Sequence, residues 1–179
     1  SGVMAGKVWG ALDTTTNVAL VARPTTLASL TIQNPGSSGK WYVVYSLLGY
    51  TDVVAATLGV VSVWHCVHKL AAAVLTRDLV LQGTGAGVAM GLKAMQGSYQ
   101  GVAIIDRGAT VVDDGWLPTP LEIVSNIATT NFQAKEAKLV VPVVIPPGGS
   151  YSLQTLATVV TFETALGLVW GEYDEAELQ

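Results

Sequence analysis

Charge is what this sequence has least of. Among 179 residues there are 9 Lys or Arg and 13 Asp or Glu, 12% in all, against 50% hydrophobic residues. A globular body of this size exposes about 8,000 Å² of surface, so each formal charge serves on the order of 370 Å². An ordinary domain, with about 25% charged residues, carries twice as many. From Trp41 to Leu92 the charges are Asp52, Lys69, Arg77 and Asp78. Such poverty implies a subunit that lives against neighbours, a building block rather than a catalyst.

Other scarcities narrow the class further. The single cysteine, Cys66, excludes an intramolecular disulfide framework, and beside Val63, Trp64 and Val67 it reads as a buried small hydrophobe. A net charge of −4 with no basic run argues against direct binding to nucleic acid. No basic-then-apolar leader opens the chain, so no secretory signal is expected. The uncharged apolar window Val53 to Val67 is bracketed by Asp52 and Lys69. It falls short of the roughly 20 residues of a spanning helix, so no membrane partner is expected. At this length the chain makes one large domain or two small ones and buries a sizeable core without cross-links.

What the sequence does hold is β-forming material. Val, Thr, Trp and Tyr favour a pleated surface, and 19 Gly and 7 Pro recur too often for long helices. Asn17 to Ala22 and Ala28 to Gln33 read as short strands separated by Arg23-Pro24-Thr25-Thr26. Asn34-Pro35-Gly36-Ser37-Ser38-Gly39-Lys40 has strong turn chemistry, and with Trp41 to Leu48 beyond it the segment predicts an antiparallel hairpin. Gly59 to Lys69 places Val61, Val63, His65 and Val67 on one face and Val60, Ser62, Trp64, Cys66 and His68 on the other, a strand buried from both sides.

Further along the pattern is mixed. Leu70 to Leu75 suits a helical turn, Arg77 to Leu81 an extended run, and Gly83 to Met95 alternates glycine with small residues. Gly101 to Asp106 is β-like, Asp113-Asp114-Gly115 and Pro118-Thr119-Pro120 mark turns, and Leu121 to Ala128 is a strand or short helix. Lys138 to Ile145 is an edge or bulged strand because of Pro142. Pro146-Pro147-Gly148-Gly149 is a firm reversal, after which Ser150 to Thr155 and Thr158 to Tyr173 close the fold. Eight to ten strands without an amphipathic helix predict an all-β chain, an antiparallel β-sandwich of jelly-roll type assembled as an oligomer. Residues 1–16 are expected to form an N-terminal arm or extended segment, 17–173 a single sandwich, and 174–179 an acidic tail.

Each pattern that invites chemistry fails a context test. Gly36-Ser37-Ser38-Gly39-Lys40 has two residues between its glycines, where a nucleotide loop needs four, and a strand follows it. Gly83-Thr84-Gly85-Ala86-Gly87 lacks the βαβ setting of a dinucleotide fingerprint. His65 and His68 point to opposite faces of a strand, and a zinc site with Cys66 lacks further partners. Asp113 with Asp114, or Glu172 with Asp174, offers paired carboxylates, which in turns and tails are usually solvated. The acidic end from Glu172 to Glu177 reads as a solvated tail or a latch onto a basic neighbour. No catalytic set, metal site or cofactor site is therefore expected.

Two segments carry a resemblance. Leu30-Thr31-Ile32-Gln33-Asn34-Pro35-Gly36-Ser37-Ser38-Gly39-Lys40 resembles the strand, Asn-Pro, Gly/Ser turn, strand segment of small tailed-phage virion proteins. Ile145-Pro146-Pro147-Gly148-Gly149-Ser150, followed by Val159 to Tyr173 with Trp170-Gly171-Glu172-Tyr173, is similar to their closing strands. The resemblance implies an oligomeric virion structural protein, with itself, a major capsid protein or other virion proteins as partners, and it transfers no catalytic residue. The reading is a trimeric capsid decoration or cement protein, with Trp9, Trp41, Trp64, Trp116 and Trp170 carrying core and interface energy. The alternatives are a tail or head-fibre component that binds a host receptor or glycan through Tyr50, Tyr99 or Trp116, and a small hydrolase that uses Asp113 or Asp114.

Overall fold

A computed structural model of the protein describes residues 7–13, 17–53, 59–68, 88–91, 103–125, 133–157 and 163–179. The expectations for Leu70 to Leu75, Arg77 to Leu81 and Gly83 to Gly87 lie outside them. The described residues form eleven strands: β1 Val8–Leu12, β2 Asn17–Val18, β3 Leu30–Gln33, β4 Trp41–Val53, β5 Gly59–His68, β6 Val88–Gly91, β7 Ile104–Arg107, β8 Leu117–Ser125, β9 Gln133–Ile145, β10 Ser150–Ala157 and β11 Glu163–Tyr173. A short 3-10 turn, Glu175–Glu177, follows. The chain is all-β, as its composition predicts.

The strands make two antiparallel sheets. The first, six-stranded, runs β6-β1-β11-β4-β9 with β2 beside β11, and the second, five-stranded, runs β7-β3-β10-β5-β8. Eight of these strands pair in a nested order: β1 with β11, β3 with β10, β4 with β9, and β5 with β8. That is the pairing of one long hairpin whose two arms have been divided between two sheets.

Between the sheets lies the main core, with a smaller cluster of Ala19, Val61, Ile123 and Ala157 apart from it. Trp9, Tyr42, Val44, Leu47, Leu168 and Trp170 enter the main core from the first sheet, and Leu30, Ile32, Val63, Ile105, Tyr151 and Leu153 from the second. The alternation of these positions with outward ones follows from the two-residue period of a strand. Trp9 stands directly opposite Trp170 in the β1–β11 pair, and both are fully buried.

Three local expectations need correction. The segments on either side of Asn34 to Lys40 are not a hairpin, because β3 belongs to the second sheet and β4 to the first. The turn between them crosses the sandwich, held by Asn34 Nδ2, which donates to the carbonyls of Lys40 at 2.7 Å and Ile145 at 3.0 Å. Pro118-Thr119-Pro120 is not a turn but part of β8, an outermost strand where missing N–H donors are tolerated. Val8–Leu12, within the segment read as an arm, is an inner strand of the first sheet, between β6 and β11.

Because Trp170 is buried against both sheets, Trp170→Ala is expected to lower stability by about 3–5 kcal/mol. Trp41→Ala, at a half-buried position, is expected to cost less than half of that. Denaturant unfolding of the two variants checks the difference.

Candidate interaction surface

The two outer faces of the sandwich differ in chemistry. On the second sheet, Ser29 and Thr31 of the β3 segment, Cys66 and His68 of β5, and Ser152 and Gln154 of β10 point away from the core, and all six are buried. They are covered by segments that the chain lays over them: Ala28, Ala109, Val111 and Trp116 pack on Cys66, with Trp64 at the margin. The covering segment is tied down by Trp116 Nε1, which donates to the Thr25 carbonyl at 2.7 Å, and by Val111 N, which donates to the Thr26 carbonyl at 2.8 Å.

From the exposed Asp114 a chain of hydrogen bonds runs beneath that cover to buried hydroxyls. Asp114 Oδ2 lies 3.1 Å from His68 Nδ1, Ser152 Oγ lies 2.9 Å from His68 Nε2, and Thr31 Oγ1 lies 2.9 Å from Ser152 Oγ. Ser29 Oγ donates to Gln154 Oε1 at 2.6 Å alongside. The order Asp114, His68, Ser152 has the connectivity of a hydrolytic triad. A nucleophile also needs an open side about 3 Å from an incoming carbonyl. Ser152 is 0% exposed and shares its hydroxyl with Thr31, and the His68 ring lies edge-on to Trp116 at 6.5 Å between centroids. In this arrangement the set satisfies buried polar groups and fastens the covering segment to the sheet.

Neither member of the Asp113 and Asp114 pair meets the other in a shared site. Asp113 is exposed and paired through both oxygens with Arg23, whose hydrogen bond holds its carboxyl below the ordinary range. Glu172 and Asp174 are also separated: Glu172 is fully buried and accepts from Trp170 Nε1 at 3.1 Å, whereas Asp174 is exposed. His65 faces the core, its Nδ1 2.8 Å from the Tyr151 hydroxyl, and desolvation lowers its pKa. Burial likewise raises the Cys66 thiol. Among the described residues no group of three or more His, Cys, Asp or Glu is placed to hold a metal ion, and no helix is long and apolar enough to cross a membrane.

The outer face of the first sheet is of another kind. Its three central strands present Val8, Gly10 and Leu12 from β1, then Ala165, Gly167, Val169, Gly171 and Tyr173 from β11. From β4 come Trp41, Val43, Ser46, Leu48 and Tyr50. None of these is charged. Leu12, Trp41, Leu48, Tyr50, Val169 and Tyr173 are partly exposed, whereas Val8, Gly10, Val43, Ser46, Ala165, Gly167 and Gly171 between them are buried. Tyr45 bulges from β4 and its hydroxyl donates to that of Tyr173 at 2.7 Å on the same side.

At the edge of this sheet β9 breaks its register with β4. Val143 pairs with Val44 and Lys138 with Ser46, so residues 139–142 stand opposite Tyr45 alone. This bulge, with Pro142 in it as the sequence predicts, leaves Val140 96% and Val141 79% exposed. Beside it is a depression of about 430 Å³ lined by Trp41, Val43, Pro142, Val144, Glu175 and Leu178. A second depression, of about 360 Å³, is lined by Leu12, Leu48, Tyr50, Lys135 and Glu136.

The tryptophans divide accordingly. Trp9 and Trp170 are sealed between the sheets and Trp116 beneath its own segment, so burial removes all three from any contact with a partner. Trp41 and Trp64 are half-buried and keep some surface. Trp116 is likewise inaccessible as a receptor-binding aromatic, and Tyr99 lies outside the described residues. Reasoning from sequence missed the covering of the second sheet, which has no local sequence mark, and the exposure of Val140 and Val141 at the bulge that Pro142 announces.

The acidic end is a latch onto lysines of its own chain. Lys40 Nζ donates to Asp174 Oδ1 at 2.7 Å and Lys7 Nζ to Glu177 Oε1 at 2.6 Å. The lysine of the glycine-serine loop is thus occupied with the C-terminal turn.

No protein-family model matches the chain, no curated protein matches it in sequence, and no solved structure matches it.

Two predictions follow from these contacts. Ser152→Ala removes the hydroxyl between His68 and Thr31 and is expected to cost about 1–3 kcal/mol in denaturant unfolding. Hydrogen bonding to Lys40 and Lys7 lowers the Asp174 and Glu177 pKa values from the ordinary 3.8 and 4.5. Because both are depressed on folding, the latch is complete above about pH 4.5 and is lost as pH falls through the lowered values. Side-chain NMR titration is expected to give midpoints below 3.8 and 4.5, with that of Asp174 rising in Lys40→Ala.

Proposed function

We propose that this protein is a structural component of a bacteriophage virion, a trimeric capsid decoration or cement protein that stabilises the shell through apolar contacts. The observation that carries the reading is the set of partly exposed, uncharged side chains on the outer face of β1, β11 and β4, Leu12, Trp41, Leu48 and Val169 among them, together with the exposed valines at its edge. A cement protein holds a shell by shape and buried area, and apolar strands shared between subunits serve that purpose. Its partners on this reading are its own copies and the major capsid protein, with no direct contact to nucleic acid or membrane.

The nested strand pairing supports the finer description of the fold. An eight-stranded hairpin rolled so that its pairs alternate between two sheets is a jelly roll, an architecture used by viral capsid domains and also by lectins and cupins. Fold alone does not select among these uses. A trimer suits the local threefold positions of an icosahedral shell, and closed symmetry removes sheet edges that otherwise aggregate.

A second reading within the virion has its own observation. The depression around Tyr50, with Lys135 and Glu136 on its rim, offers an aromatic face and polar groups, the requirements of a glycan subsite on a tail or head fibre. Specific signals on a glycan array that Tyr50→Ala abolishes would favour it over the cement reading.

Light scattering coupled to size exclusion across a dilution series tests the first reading. Three chains of 18.6 kDa give about 56 kDa, the expected mass. A monomer at every concentration would overturn it.

A further inference from the structure

Strand β9 is an outermost strand, and an edge of this kind ordinarily invites another strand to pair with it. Here residues 139–142 are bulged out of register and Pro142 has no N–H to donate, so backbone pairing along this stretch is blocked. The same bulge holds Val140 and Val141 almost wholly in solvent. The edge is therefore built to repel a strand while it presents a pair of apolar side chains. A knob of this kind needs a hole, and the depression of Trp41, Val43, Val144 and Leu178 lies next to it, sharing Pro142. A knob and a hole that are separate features of one chain form a heterologous contact, and copies joined knob to hole close into a ring where the rotation between them allows it.

Charge follows the same division. Exposed Lys138 stands at the foot of the knob, and exposed Glu175 on the rim of the hole. Opposite signs at the two ends of a heterologous contact favour one copy over an unrelated apolar partner.

We propose that a second copy of this chain occupies the hole, with the Val140–Val141 bulge of one copy seated against Trp41, Val144 and Leu178 of the next and Lys138 of the first facing Glu175 of the second. The contact rests on the oligomeric reading above and names the residues that carry it.

The test measures mass against dilution for the wild type, Val141→Asp, Lys138→Glu, Glu175→Lys and the double charge reversal, with circular dichroism to confirm the fold. Val141 is exposed, so its replacement is expected to leave unfolding unchanged while raising the dissociation constant at least tenfold. Each single reversal is expected to weaken assembly, and the double reversal to recover most of it. An oligomeric wild type whose mass Val141→Asp leaves unaltered would overturn this contact and leave the oligomeric reading standing. A monomeric wild type would overturn that reading itself.

Discussion

The fold depends on its first and last strands finding each other. Trp9 and Trp170, from strands at opposite ends of the chain, sit across from one another in the middle of the first sheet with no exposed surface. Every other principal pairing nests inside that one, down to β5 with β8 at the centre. A nested arrangement has a cost in chain entropy, since the outermost pair closes the longest loop. It also has a geometric reward: once the inner pairs are made, each new pair has its partner already nearby. The two indoles occupy the place where closure matters most, and their burial rewards the pairing that is entropically least favourable.

The closed sandwich leaves two outer faces, and the chain treats them differently. Over the second sheet it lays its own segment, and the surface beneath is made of Ser, Thr, Gln and His that bond one another. Side chains with both donors and acceptors suit a covered face on which each buried polar group must find a partner. The first sheet instead offers mainly Gly, Ala, Val, Leu, Tyr and Trp, a face whose side-chain hydrogen-bonding groups are those of Ser46, the tyrosine hydroxyls and the Trp41 indole.

Part of this was legible in the sequence. Several strands, β4, β5, β9 and β10 among them, followed from alternation and turn chemistry, Pro142 marked an edge or a bulge and is found in both, and Pro146 to Gly149 forms a turn that carries the chain from β9 in the first sheet to β10 in the second. Cys66 among valines and tryptophans read correctly as buried. What local pattern does not encode is the sheet to which a strand belongs. The Asn34 to Lys40 turn has the composition of a hairpin tip, yet Asn34 spends its amide on Ile145, more than a hundred residues away, and the chain crosses between sheets. Pro118 and Pro120 look like breakers until β8 is known to be an edge. Likewise His68, Asp114 and Ser152 are far apart in sequence and carry no spacing that announces their contact.

The scarcity of charge thus has two separate physical origins that composition merges into one number. On the second sheet the chain covers its own face and admits charge only where it is bonded, as with Asp106 opposite Thr31 and Asp114 on His68, because a buried unpaired ion there would be costly whether or not a partner exists. On the first sheet no such internal reason applies to the partly exposed Leu12, Leu48 and Val169. Only that second share of the deficit bears on assembly, and it is concentrated on a face whose edge strand is bulged, proline-bearing and closed to strand addition. A surface selected merely to tolerate water would have placed lysine at the tip of that bulge, the usual guard of an exposed edge; this chain places lysine at its foot and valine at its tip.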